Sequence, residues 1–307
     1  MKITVILNFI LFSIPAIIPA EAMNSGRQES LSSGNSKAIQ ADADASSNAD
    51  EEKGIENEKD YSGNEWRGKR VAILGDSMSD PEMKRVSQKR FYDYLQESIG
   101  IEPLPYAHSG YTWKELAGMA QRLTEEHPDD LDAIFIWAGT NDYNKSLPLG
   151  DFFTKTKSKV NANGEEVWRD HKHYNRDENT FTGRINNVLG YLKRHYPETQ
   201  IVVLTPIHRG YAKFRENNIQ PSEEYSNALG LFIDDYVETI KEGAKIWSVP
   251  VIDLFSESGI VPALPNQSIY IANPETDRLH PNDKGQKRIA KVVEYKLRGI
   301  PPSFKDE

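Results

Sequence analysis

Between Trp66 and Leu297 short apolar runs alternate with longer segments of helical period, and few folds accommodate that alternation. The runs at residues 71–74, 133–138, 201–204 and 249–254 are rich in branched aliphatic side chains and poor in polar ones, as strands covered on both faces require. The segments between them repeat apolar residues every three or four positions. Phe91, Leu95 and Ile99 do so within 88–99, and Ile185, Val188, Leu189 and Leu192 within 181–196. Further helices are expected over 113–123, 223–240 and 285–297. Residues 101–106 carry Pro103 and Pro105, so they predict only a brief strand at an edge, where a missing N–H is tolerated. Strands alternating with helices predict a three-layer α/β/α sandwich around a mostly parallel sheet. The carboxyl ends of such strands share one edge, which gathers Ser77, Gly139-Thr140-Asn141, Thr205-Pro206 and Asp253-Leu254.

The chain carries a formal net charge of -9, which speaks against nucleic acid as a partner, because phosphate binding needs a basic surface. Much of the excess sits in residues 24–65, where ten acids face four bases, so the rest is close to neutral. That stretch is mostly Ser, Asn, Ala, Asp, Glu and Gly. It cannot bury enough apolar surface to offset its ordering entropy, so residues 23–65 are expected to be a disordered acidic spacer. Ahead of it, Lys2, the apolar run 3–18 and the small-x-small site Ala20-Glu21-Ala22 read as a secretory signal peptide over 1–22. The apolar run is short for a membrane span and contains Pro15, so no stable span is expected after cleavage, and the destination is the periplasm or the exterior. Without a single cysteine, the chain has no disulfide, thiolate metal site or lipidated N-terminal cysteine. The folded domain, expected over 66–303, must rest on its core alone.

Four short blocks carry chemistry. Gly75-Asp76-Ser77 follows the first strand, and Gly110 in His108-Ser109-Gly110 follows the second. Gly139-Thr140-Asn141-Asp142 follows the third, and Asp277-Arg278-Leu279-His280-Pro281-Asn282 precedes the last helix. A serine needs a base within hydrogen-bond reach to act as a nucleophile near neutrality. His280 can take that proton and return it to a leaving group, while Asp277 orients the ring. In order and in motif these blocks resemble the SGNH/GDSL hydrolase family over roughly residues 66–300. Met78-Ser79 stands where Leu-Thr is common, and the second block lacks the usual asparagine or arginine neighbours. The resemblance implies a flavodoxin-like SGNH hydrolase fold and a Ser77-His280-Asp277 triad. It also implies an oxyanion hole from the Ser77 and Gly110 backbone N–H groups and the Asn141 side-chain amide, with no cofactor.

Each residue also has a blander reading. Ser77 can cap a helix, Asp76 can brace a loop, Asn141 and Asp142 can make a turn, and Asp277 with His280 can be a surface ion pair. His171 and His173 have a metal-like spacing but no evident third ligand, so no metal is expected. His108 and His208 are either cleft residues or ordinary polar histidines. Residues 143–180 show no clear periodicity and read as an inserted loop, in which Tyr143 and Trp168 are candidate substrate-binding aromatics. The expected activity is hydrolysis of a short acyl ester, such as acetyl, on a glycan or small molecule. A lysophospholipase, thioesterase or acyltransferase would use the same residues, and a non-catalytic glycan-binding module is the alternative of another class. The residues leave the oligomeric state open.

Overall fold

A computed structural model describes residues 64–300 and Phe304. The expected signal peptide lies outside those residues, as does the expected spacer apart from Asn64 and Glu65. In chain order the first half runs β1 (Arg70–Gly75), α1 (Phe91–Ile99), β2 (Glu102–Ala107), α2 (Trp113–Glu126), β3 (Ala133–Trp137), α3 (Thr140–Asn144), β4 (Phe153–Ala162) and β5 (Glu165–Tyr174). It continues with α4 (Phe181–His195), β6 (Gln200–Leu204), β7 (Ala212–Arg215), β8 (Asn218–Gln220), α5 (Ile233–Ile246) and β9 (Val251–Ile252). The last elements are α6 (Leu254–Glu257), β10 (Ile271–Asn273), β11 (Asp277–Pro281) and α7 (Asp283–Leu297).

Five parallel strands form the central sheet in the order β2-β1-β3-β6-β9. The period-2 alternation of each strand divides its side chains between two cores. Ala72, Leu74, Ile134, Ile136, Ile201 and Val203 pack with residues of α2, α4 and α5. Val71, Ile73, Ala133, Phe135, Val202 and Leu204 pack with residues of α1 and α7. Burial on both faces explains why these strands read as continuous apolar runs. The proline-bearing β2 lies at the sheet edge, with Pro103 opposite Val71 and Pro105 opposite Ile73. Because β2 is added on one side of β1 and β3 on the other, the winding reverses at β1, and the crevice at such a reversal is where open α/β sheets bind ligands.

Local chemistry sets the element ends and accounts for the departures from the expected ones. Thr112 and Glu115 form a capping box at α2: Thr112 Oγ1 accepts the Lys114 N–H (3.3 Å) and the Glu115 carboxylate accepts the Thr112 N–H (2.7 Å). Helix α1 starts at Phe91 rather than near Gln88, because Asp283 Oδ1 accepts the N–H groups of Gln88 (2.8 Å) and Lys89 (3.1 Å) and holds them out of the helix. The helix expected over 223–240 exists only as α5. Glu223 is engaged elsewhere, accepting the Arg209 N–H (2.8 Å), and Asn227 Oδ1 closes a turn by accepting from Leu229 and Leu231. The strand expected over 249–254 shortens to β9, since Asp253 Oδ1 accepts the Ser256 N–H (3.2 Å) and starts α6.

Two features were not expected. Most of the aperiodic segment 143–180 is a β-hairpin, β4 paired with β5 in ten-residue register around Asn163-Gly164. These two residues have φ of 55° and 90°, the left-handed conformations that a two-residue turn matched to strand twist requires. A second, antiparallel sheet has the order β10-β11-β7-β8, and its strand β11 carries Asp277 and His280.

Candidate active site

Ser77 sits just beyond β1, at the reversal point, on a turn that needs a glycine before it. A Cβ at Gly75 would lie 2.9 Å from the Ser79 side chain and 3.1 Å from the Trp137 carbonyl. The turn is fixed from beneath, where Asp76 Oδ1 accepts the Met78 N–H (3.0 Å). It is also tied to two helices. Gln286 of α7 donates its Nε2 to the Met78 carbonyl (2.9 Å), and its Oε1 accepts the Phe91 N–H of α1 (2.9 Å).

Ser77 Oγ lies 2.9 Å from His280 Nε2. The other ring nitrogen, Nδ1, is 2.9 and 3.0 Å from the two oxygens of Asp277. Asp277 Oδ1 also accepts the N–H groups of Leu279 (3.3 Å) and His280 (3.1 Å), which locks the carboxylate to the strand that bears the imidazole. All three side chains are buried. Burial strengthens each of these hydrogen bonds by excluding water.

The remaining expected site residues divide. Gly110 lines the cleft above Ser77 with φ of 86°, and a Cβ there would meet no protein atom, so conformation rather than crowding calls for glycine. Its neighbour Ser109 is anchored by donating its N–H to the buried carboxylate of Asp80 (2.7 Å). Asn141, in the first turn of α3, also lines the cleft. Its Nδ2 donates to the Tyr111 carbonyl (2.8 Å) and stands 3.5 Å from Asp76 Oδ2. Burial pushes the Asp76 carboxyl up to about 7, against the Met78 N–H that favours its charge and with nearby Asp142 adding to the rise. Asp142 itself is raised to about 6 by burial, although it accepts the Trp113 N–H and pairs with Arg184 at 2.9 Å.

Tyr143 and Trp168 are not in the cleft, contrary to expectation. Tyr143 is a core residue whose hydroxyl donates to the Tyr225 carbonyl (2.7 Å) and whose ring packs edge-on to Tyr236. Trp168 is exposed on β5, opposite Lys159 of the hairpin. His171 and His173 lie side by side on that same strand with their rings tilted by 47°, His173 Nε2 lying 2.8 Å from Thr156 Oγ1. Among the described residues no group of three or more side chains could hold a metal ion. His108 is 3.6 Å from Asp80 and His208 2.6 Å from Glu223, and neither lines the cleft.

The cleft has a volume of about 510 Å³, and its wall includes residues that the sequence motifs did not suggest. Arg85 comes from the loop after β1, Phe214 and Arg215 from β7, and Asn218 and Gln220 from β8. Leu279 stands between the two members of the Asp-x-x-His block, where its position was readable but its role was not.

The model of the GDSL-like lipase/acylhydrolase family matches residues 73–288. A crystal structure of a protein from Lactobacillus plantarum is 26% identical, with a TM-score of 0.59 over 76% of this chain and 98% of that one. A possible lipase from Chitinophaga pinensis is 18% identical, with a TM-score of 0.54 over 75% of this chain and 98% of that one. A salicylyl-acyltransferase from a tetracycline biosynthetic pathway shares 14% identity and a TM-score of 0.50, covering 77% of this chain and 56% of that one. Among curated proteins none matches the sequence.

Proposed function

The chain belongs to the GDSL-like lipase/acylhydrolase family, whose members are ester-hydrolysing serine hydrolases, and from that premise we propose that it is an exported esterase removing short acyl groups, such as acetyl, from carbohydrate. The observation that carries the catalytic part is the line from Ser77 through His280 to Asp277, with contacts of 2.9 and 2.9–3.0 Å, at the floor of an open cleft. Ser77 Oγ attacks the ester carbonyl carbon while His280 Nε2 takes its proton. Asp277 keeps the proton of Nδ1 directed at itself and stabilises the imidazolium that forms. The oxygen of the tetrahedral intermediate accepts from the N–H groups of Ser77 and Gly110 and from Asn141 Nδ2. One Asn141 hydrogen is committed to Tyr111, and the 3.5 Å contact with Asp76 is long enough to release the other. Collapse breaks the C–O bond, the alcohol leaves with the proton from His280, and water repeats the sequence on the acyl-serine.

The character of the cleft supports a small acyl group on a polar alcohol. Phe214 and Leu279 are the large apolar side chains of its wall, beside Ser109, Asn141, Asn218, Gln220 and two arginines. A long acyl chain laid against such a wall would gain little from burial and would strip water from polar groups. The N-terminal sequence, with Lys2, its apolar run and Ala20-Glu21-Ala22, supports export. Two measurements test the reading. A fluorophosphonate probe should label Ser77, and 4-nitrophenyl acetate should be hydrolysed by the native protein but not by Ser77→Ala. Labelling or hydrolysis that survives the substitution would remove Ser77 from the chemistry. A panel of acetylated sugars against esters of longer acids then tests the substrate class.

A further inference from the structure

The cleft wall is cationic. Apart from the catalytic His280, its ionisable side chains are Arg85 and Arg215, and no carboxylate lines it. Buried acids next to the wall are engaged within the fold, Asp76 with the Met78 N–H, Asp80 with the N–H groups of Ser109 and Glu82, and Asp277 with His280. Neither cleft arginine has a carboxylate partner among the described residues, whereas Arg70, Arg122, Arg184 and Arg298 each do. Among the described residues Arg85 reaches Met83 Sδ, at 3.8 Å, and the face of the Phe214 ring, at 6.0 Å. A guanidinium presents a planar fork of N–H donors that matches a carboxylate, phosphate or sulfate. Two such forks without a carboxylate partner among the described residues line one cleft.

The position of these residues tells which part of an ester they meet. The Phe214 ring lies 5.4 Å from the His280 imidazole and carries the Arg85 guanidinium beside it, and Arg215 is the next residue on β7. His280 hands its proton to the departing alcohol, so groups beside the imidazole face the alcohol part of the substrate. Gly110 and Asn141 face the carbonyl oxygen instead.

We infer that Arg85 and Arg215 form an anion-binding subsite on the leaving-group side of the cleft, selecting esters whose alcohol carries a carboxylate, phosphate or sulfate, as an acylated uronic acid or an acylated sugar sulfate does. This inference rests on the esterase reading for its orientation, while the subsite itself is readable without turnover. The decisive comparison is kcat/KM for monoacetylated methyl glucuronoside, for its uncharged methyl ester, and for monoacetylated methyl glucoside 6-sulfate. Each charged ester should exceed the neutral one by about tenfold or more, chiefly through KM, because the neutral compound leaves both forks unfilled. The ratio should fall in about 0.5 M NaCl, where exposed charges are screened. Arg85→Gln and Arg215→Gln should each lower the ratio, and the double variant should bring it near one; a ratio taken within one variant is insensitive to general damage. A carboxylate preferred far above sulfate, or the reverse, assigns the natural anion within the same subsite. Equal rates on charged and neutral esters in the native protein, or a ratio unmoved in the double variant, would mean two merely solvated arginines and overturn the subsite. A preference for 4-nitrophenyl hemisuccinate over 4-nitrophenyl acetate would place the anion on the acyl part and overturn the orientation. Calorimetry with methyl glucuronoside and methyl glucoside separates this inference from the one beneath it. Selective binding of the charged sugar without any ester turnover upholds the subsite and strikes only the esterase reading.

Discussion

Ser77 and His280 stand 2.9 Å apart and Asp277 holds the far nitrogen of the same ring, so proton transfer is shared by three side chains as one unit. Ser77→Ala and His280→Ala should each lower kcat on 4-nitrophenyl acetate by a factor on the order of 10⁴–10⁶, and the double variant should be hardly slower than either. Losses that add would show two residues acting independently. Asn141→Ala removes one oxyanion donor and should lower kcat by about 10²–10³ with KM nearly constant; a raised KM at unchanged kcat would make it a ground-state contact. Asp76 belongs to stability. Burial raises its carboxyl from an ordinary value of 3.8 to about 7, so between those values the folded chain holds a proton that the unfolded chain has released. Its contribution is complete below the lower value and is lost as pH rises through the upper one. Asp76→Asn keeps an oxygen for the Met78 N–H without the charge. From pH 5 to pH 8 the melting temperature of the native protein should therefore fall relative to that of the variant. Parallel curves would mean that Asp76 is ionised throughout.

The hairpin β4–β5 is anchored at its base, where Tyr174 stacks on Trp247 at 4.4 Å, and beyond that its side chains are exposed or half-buried. Replacing residues 157–170 by Asn-Gly should move the melting temperature by no more than about 2 °C, since only solvated contacts are lost. Activity on 4-nitrophenyl acetate should be retained; a marked loss would show that the hairpin supports the cleft. The same element marks the limit of reading the chain from its residues. The parallel strands were legible because they are buried on both faces and so are continuously apolar. In β4 and β5 the side chains Lys155, Lys157, Lys159 and Lys172 meet water, so no apolar alternation is left, although Asn163-Gly164 is itself a hairpin signal. The strands of the second sheet have three to five residues, too few for a period to show. Ser77, Gly110, Asn141, Asp277 and His280 were found together because each lies in a short motif at a strand or helix boundary. Tyr143 and Trp168 were misplaced because an aromatic residue in an unassigned segment carries no sign of which way it faces. Arg85, Phe214 and Arg215 went unnoticed because the loop and strands that bring them to the cleft have no signature.

At the scale of the molecule, the central sheet is held by two cores with no covalent cross-link, and the site depends on both ends of the domain. Ser77 follows the first strand and His280 lies on the last, 203 residues later. Gln286, beyond His280, supports the turn that carries Ser77. In a urea titration, loss of hydrolysis and loss of tryptophan fluorescence should therefore coincide, as a single cooperative unit requires. Activity that fails at lower urea would mean that β11 and α7 detach before the rest. The same separation has a consequence in time. A ribosome moving at about 5–20 residues per second needs roughly 10–40 s to pass from Ser77 to His280. Throughout that interval the nascent chain holds a nucleophile without its base. Vectorial synthesis thus keeps the enzyme silent until its last strand reaches its first.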